Sequence, residues 1–252
     1  MSRKLENKIA VVTGGSTGIG LETARQFALE GATVYITGRR KAELDAAAAA
    51  IGPQATGVQV DSSKLDDLQA LVDRIKREQG RIDVLFVNAG GGSMLPLGSI
   101  TEEQFDDTFN RNVKGTLFTV QTALPILAEG ASVILTGSTA ASSGTPAFSV
   151  YAATKAAVRS FVRNWILDVD ASRKIRFNTL SPGATRTPGL VDLAGPDAAQ
   201  QQGLLDYLAS QVPMGRVGEP VEIARAAVFL ASDDASFVNG SELFVDGGQA
   251  QV

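Results

Sequence analysis

The sequence contains no cysteine and no histidine. Their absence excludes disulfides, thiolate nucleophiles, cysteine or histidine zinc ligands and any Ser-His-Asp triad, so acid/base chemistry has to come from tyrosine, lysine or carboxylates. No metal site is expected. No apolar run reaches the roughly 18 residues of a membrane-spanning helix. The stretch from Met1 to Lys8 also lacks the apolar centre of a signal peptide, and the expected location is cytoplasmic. An excess of positive charge is missing too: 23 Lys and Arg against 27 Asp and Glu leave a net charge of −4, with no long basic run. Neither nucleic acid nor a membrane surface is expected as a partner.

What is present suits a folded α/β chain. With 252 residues, 44% hydrophobic and 20% charged, residues 1–252 are expected to form one domain with a large core. Strand-like and helix-like stretches alternate. Lys8 to Thr13 is a β-branched run that turns directly into Gly14, Gly15, Ser16, Thr17, Gly18, Ile19 and Gly20, after which Leu21, Ala24, Phe27 and Ala28 recur at helical spacing. In such a strand, glycine turn and helix, the backbone approaches a ligand closely and the free N–H groups of the new helix face an anion; a dinucleotide pyrophosphate fits.

A second strand, Thr33 to Thr37, ends in Gly38, Arg39 and Arg40. An acid at this point would bind a ribose 2′-hydroxyl, whereas arginine pairs with a 2′-phosphate; Gly38 followed by two arginines predicts NADP(H). The alternative is that both arginines are solvated charges opening the helix Lys41 to Ile51. Ala55 to Val60 reads as a third strand running into Asp61 and Ser62, placed to approach the adenine, although Asp61 is equally suited to cap the helix that begins near Lys64. Leu65 to Gln79 is an amphipathic helix, and Ile82 to Val87 a fourth strand ending at Asn88, Ala89 and Gly90, where a flat ring can rest on backbone.

Thr101 to Leu127 reads as helical, with Thr101 as a start signal. Asn112 lies inside it. Ala131 to Thr136 is a buried strand leading to Ser138, followed by a helix carrying Tyr151 and Lys155, four residues apart and so on one face. An ammonium beside a phenol favours the phenolate, so the pair predicts a tyrosine pKa below its usual value near ~10. A packed ring beside a solvated charge is the other reading of the same spacing. Ile175 to Leu180 is a sixth strand, followed by Pro182, Gly183, Thr185 and Thr187. Residues 188–214 are irregular in pattern and leucine-rich, a candidate substrate lid. Glu219 to Ala231 and Ser241 to Val245 read as a last helix and strand. The alternation predicts a doubly wound parallel sheet of about seven strands.

These residues resemble the classical short-chain dehydrogenase/reductase superfamily. Thr13 to Gly20 matches its cofactor motif, Asn88-Ala89-Gly90 its second motif, and Ser138 with Tyr151 and Lys155 its catalytic signature. The resemblance implies a Rossmann-type fold and a homotetramer. It implies that Tyr151 exchanges the proton, Ser138 polarises the substrate oxygen, Lys155 lowers the phenol pKa and binds the nicotinamide ribose, and Asn112 supports a water chain. Thr187 corresponds to the residue that holds the nicotinamide carboxamide. Gly14, Ser16, Ile19, Asp61 and Asn88 match cofactor contacts. No basic residue stands inside the glycine turn, so 2′-phosphate binding falls to Arg39 and Arg40. Thr185 replaces the usual isoleucine or valine. More narrowly, the chain is similar to bacterial NADPH-dependent alcohol dehydrogenases that reduce bulky apolar ketones, in keeping with an approach lined by Met94, Leu95, Pro146 and Phe148. A 3-oxoacyl thioester or a sugar such as glucose is the alternative substrate, and a non-catalytic dinucleotide-binding protein the remote one.

Overall fold

The computed structural model describes residues 3–252. In chain order its main elements are β1 (Ile9–Thr13), α1 (Gly18–Leu29), β2 (Thr33–Gly38), α2 (Lys41–Ile51), β3 (Ala55–Gln59), α3 (Leu65–Gln79) and β4 (Ile82–Val87). They continue with α4 (Glu102–Phe109), α5 (Gly115–Ala123), β5 (Leu127–Thr136), α6 (Ser149–Asp168), β6 (Arg176–Pro182), α7 (Pro188–Val191), α8 (Ala198–Ser210), α9 (Pro220–Ala231) and β7 (Glu242–Val245). All seven strands are parallel, in the order β3-β2-β1-β4-β5-β6-β7. The fold is the single-domain, doubly wound Rossmann type.

A parallel sheet covered on both faces needs strands that are apolar on both faces. In β1, Ile9 and Val11 enter one core with Leu68, Leu85, Val133, Val158 and Phe177. Ala10 and Val12 enter the other with Phe27, Ile36, Phe86, Ile134 and Ile223. The order in which the chain adds strands reverses between β1 and β4, so the crevice beyond their carboxyl ends is where such a sheet takes its ligand. Helix α1 can start so close to β1 only because residue 20 is glycine: a Cβ there would lie 2.2 Å from the Gly14 carbonyl oxygen.

Two features differ from the sequence reading. The helical stretch from Thr101 does not run unbroken to Leu127. Thr101 does cap its start, accepting from the Gln104 N–H at 3.1 Å. A π-turn at Asn110–Lys114 then separates α4 from α5, and a single 3-10 turn around Pro125 ends the stretch where β5 begins. A π-turn inserts one extra residue and rotates the side chains of that turn, which carries Asn112 into the interior at 1% exposure. Residues 188–214 are also more ordered than their pattern indicates, forming α7, one 3-10 turn and α8. The two feet of this segment are tied together: Arg186 N donates to Gly218 O and Gly218 N to Ala184 O, both at 2.8 Å, and Arg186 pairs with Glu219.

Candidate active site

A cleft of about 780 Å³ runs along the carboxyl ends of the strands. The glycine turn forms its central wall through Gly14, Ser16, Thr17, Gly18 and Ile19. Gly14 has φ +66°, and a side chain there would press within 3.0 Å of the Ala89 Cα. No side chain caps the start of α1, so its first N–H groups remain available to an anion. Asn88 fixes the turn's width. Its backbone N–H and that of Ala89 donate to Thr13 Oγ1 at 2.9 and 3.0 Å, and its side chain donates to the Thr13 carbonyl at 3.2 Å. A bare backbone cradle of this kind, with free N–H groups and a flat floor at Ala89 and Gly90, fits a dinucleotide.

At one end lie Gly38, Arg39, Arg40, Asp61 and Ser62. The two arginines are not equivalent. Arg40 precedes α2 and pairs with Glu43, while Arg39 makes no side-chain ion pair among the described residues. Asp61 does not cap α3, which begins after Lys64; it accepts instead from the N–H and hydroxyl of Ser63 at 3.1 and 2.7 Å. Burial acts to raise its pKa, but the Ser63 hydrogen bonds and the Arg39 charge outweigh that and hold the carboxyl below its ordinary value.

At the other end α6 and the segment after β5 bring Ser138, Tyr151 and Lys155 to one wall. The Tyr151 ring stacks on Phe148, with centroids 4.4 Å apart. Lys155 is only 5% exposed, its Nζ donates to the Thr136 carbonyl at 2.8 Å, and it lies 5.6 Å from the centre of the Tyr151 ring. Desolvation lowers its pKa to about 8.

The expected lowering of the phenol is overturned in this state. Burial pushes the Tyr151 pKa up, and the opposing influence is the Ser138 hydroxyl, not the ammonium. The lysine stands beside the ring and is itself poorly solvated, so the loss of water around the phenol oxygen decides the direction. Asn112 is the one candidate catalytic residue outside the cleft lining. Its amide donates to Gly91 O and Thr154 Oγ1, both at 2.9 Å, and its oxygen accepts from Gly91 N at 3.0 Å. Thr154 in turn donates to the Tyr151 carbonyl at 2.6 Å. Asn112 therefore joins the cleft floor to the helix that carries the tyrosine.

Pro182, Gly183, Thr185 and Thr187 line the remaining wall. The Thr185 hydroxyl folds back on the Gly183 carbonyl at 3.0 Å. Thr187 caps α7 by accepting from the Leu190 N–H, which leaves its own hydroxyl hydrogen free to donate into the cleft. Leu190, Leu193 and Leu208 face the cleft from the covering segment, and Phe148 from the opposite side. Met94, Leu95 and Pro146 do not line it. Leu95 N instead donates to Ala147 O at 2.8 Å, strapping two loops together beside the mouth. Arg186, just before this segment, is turned away toward Glu219.

Arg111 and Gln249 are among the lining residues that carry no signal in the sequence. Arg111 enters through the π-turn and pairs with Asp107. Gln249 enters from the chain's last turn. No spacing rule points to either; both depend on elements distant in the chain.

A sequence model described as enoyl-(acyl carrier protein) reductase matches residues 14–250. The oxidoreductase asL5 of Sarocladium schorii is 46% identical over 252 residues, covering 99% of this chain and 98% of that protein. The 3-oxoacyl-[acyl-carrier-protein] reductase FabG of Thermotoga maritima is 35% identical over 254 residues, covering 97% and 98%. Among solved structures, the ligand-free aldohexose dehydrogenase of Thermoplasma acidophilum superposes with a TM-score of 0.91 at 29% identity, over 100% of this chain and 97% of that one.

Proposed function

Because the chain belongs to the classical short-chain dehydrogenase/reductase superfamily, whose oxidoreductases use nicotinamide dinucleotides, we propose that it transfers a hydride between NADP(H) and a ketone or secondary alcohol with a bulky apolar body. The observation that carries this reading is the placing of Ser138, Tyr151 and Lys155 on one wall of the cleft that the glycine turn opens. The bound cofactor supplies the hydride chemistry at C4 of its nicotinamide. The protein supplies the rest. The Ser138 hydroxyl orients and polarises the carbonyl oxygen, the neutral Tyr151 phenol gives that oxygen its proton, and the Lys155 ammonium holds the nicotinamide ribose and offsets negative charge on the phenolate left behind. Thr187 donates to the nicotinamide carboxamide. In alcohol oxidation the same proton returns to Tyr151.

Leu190, Leu193, Leu208 and Phe148 favour an apolar substrate body under a lid formed by residues 188–214. A 3-oxoacyl thioester or an aldose would use the same proton donor. Following the loss of reduced-nicotinamide absorbance with bulky ketones, 3-oxoacyl thioesters and aldoses separates these classes. Fastest turnover of thioesters or sugars would overturn the choice of substrate.

The unpaired Arg39 supports NADP(H) over NAD(H). Arg39→Ala is expected to weaken NADPH binding about 10- to 100-fold, in line with charge-assisted hydrogen bonds of roughly 1.5–3 kcal/mol, while NADH binding is unchanged. Gly38→Asp is expected to turn the preference toward NADH. A Cβ at residue 38 meets nothing nearer than Ser16 Oγ at 3.4 Å, so the acid fits. Equal losses for both cofactors in titrations of Arg39→Ala would remove the 2′-phosphate assignment.

We read the strongly exposed apolar side chains Leu167 and Phe237, 82% and 103% exposed in the single chain, as subunit contacts of a homotetramer. Sedimentation at micromolar concentration tests this, and a monomer would refute it.

A further inference from the structure

The chain's last turn is built against the end of β6. Asp246 shapes it by accepting from the N–H groups of Gly248 at 2.9 Å and Ala250 at 2.8 Å. Gly247 O accepts from Met214 N, which joins the turn to the foot of the lid. Gly183 packs so closely that a Cβ on it would stand 2.8 Å from the Asp246 Cα and 2.9 Å from Gln249 Oε1. Gln249 is thus set beside the Pro182 to Thr185 wall of the cleft.

Its amide has one possible orientation. Ala184 N–H donates to it at 3.2 Å, and a backbone donor requires the carbonyl end, so Oε1 faces Ala184 and the NH₂ end faces away. That NH₂ donates to no protein group among the described residues, although Gln249 lines the cleft beside Gly183 and Ala184. A donor that no protein group accepts, at the wall of a cleft, discriminates: it binds a substrate oxygen well and leaves an unmet N–H against a purely apolar group.

We propose that Gln249 is a specificity residue whose amide NH₂ donates a hydrogen bond to a second oxygen of the substrate, so that the preferred ketones carry a further carbonyl or ether oxygen near the reacting carbonyl. The proposal rests on the ketone-reduction reading above. It narrows the substrate class to oxygenated ketones whose apolar body lies under the lid leucines.

The test compares aryl ketones bearing a methoxy or keto oxygen one, two or three carbons from the reacting carbonyl, each against its parent. Such oxygens only accept hydrogen bonds, so a new carboxylate has no donor to exploit on them. Gln249→Glu keeps the acceptor that Ala184 needs and removes the donor; Gln249→Met removes both without adding charge. Wild-type protein is expected to favour at least one oxygenated ketone over its parent in kcat/KM. Both variants should reduce that ratio by roughly 10-fold or more, while the NADPH dissociation constant of Gln249→Glu is unchanged.

Ratios that stay constant across wild type and Gln249→Glu would overturn the proposal and leave Gln249 as a structural support. Weaker NADPH binding with constant ratios would assign the donor to the cofactor and overturn it equally. If wild-type protein reduces neither parent nor oxygenated ketones, the ketone reading itself fails and the proposal with it; turnover with unaltered ratios defeats the proposal alone.

Discussion

Replacing Tyr151 with phenylalanine is expected to lower ketone turnover by about 10²–10⁴-fold, the usual contribution of a positioned acid, and to leave NADPH binding unchanged. The substitution removes one oxygen and retains the ring that stacks on Phe148. Ser138 keeps its place, accepting from Ala140 N at 3.1 Å, so a fall in rate is attributable to the proton. Single-turnover rates with NADPH, together with a binding titration on the same preparation, give the answer. Turnover equal to wild type would remove Tyr151 from proton transfer, and loss of NADPH binding would assign it to holding the cofactor.

The raised phenol pKa adds a direction to this expectation. Ketone reduction needs the neutral phenol and alcohol oxidation the phenolate, so kcat/KM for reduction should hold through neutral pH and fall in alkali. Oxidation should rise over the same alkaline range. Profiles of equal shape in both directions would contradict a tyrosine acid.

The second large effect concerns stability. Lys155→Met is expected to stabilise the fold by about 1–3 kcal/mol at neutral pH while reducing catalysis, because it removes a charge that burial disfavours. Lowering a lysine from 10.5 to about 8 corresponds to about 3 kcal/mol at 1.36 kcal/mol per pH unit. Between those two values the unfolded chain binds the proton that the folded chain has released, so wild-type stability should increase as pH rises from about 8 toward 10.5. Below pH 8 both states are protonated and the full cost is borne. The single hydrogen bond to the Thr136 carbonyl offsets only part of it. Urea melts at pH 7 and pH 10 should therefore show a methionine variant that gains most at pH 7. A variant less stable than wild type at pH 7 would mean that the Thr136 contact outweighs desolvation.

Much of the architecture is legible in the chain because glycine and proline punctuate it. α2, α3 and β4 occur over the residues their periodicity marks, since each is a run of one period with a turn residue at its end. The glycine turn is readable for the same reason: the residues that let a backbone approach an anion are also those that break a pattern. The π-turn at Asn110–Lys114 escapes that reading, because one added residue per turn hardly disturbs a helical pattern while it redirects Asn112 and Arg111. Gln249 is invisible for another reason, since only the pairing of β6 with β7 brings the last turn beside Ala184. The ionisation of Tyr151 depends on how much water its oxygen keeps, a quantity that four-residue spacing does not contain.

The tie between Ala184, Arg186 and Gly218 at the feet of residues 188–214 separates two jobs. Variation between residues 188 and 214 begins and ends near anchored points, which limits what reaches the end of β6 beneath. On the proposed function, new substrates can be accommodated by rewriting that stretch, with the residues proposed to seat the dinucleotide and to give the proton left unchanged.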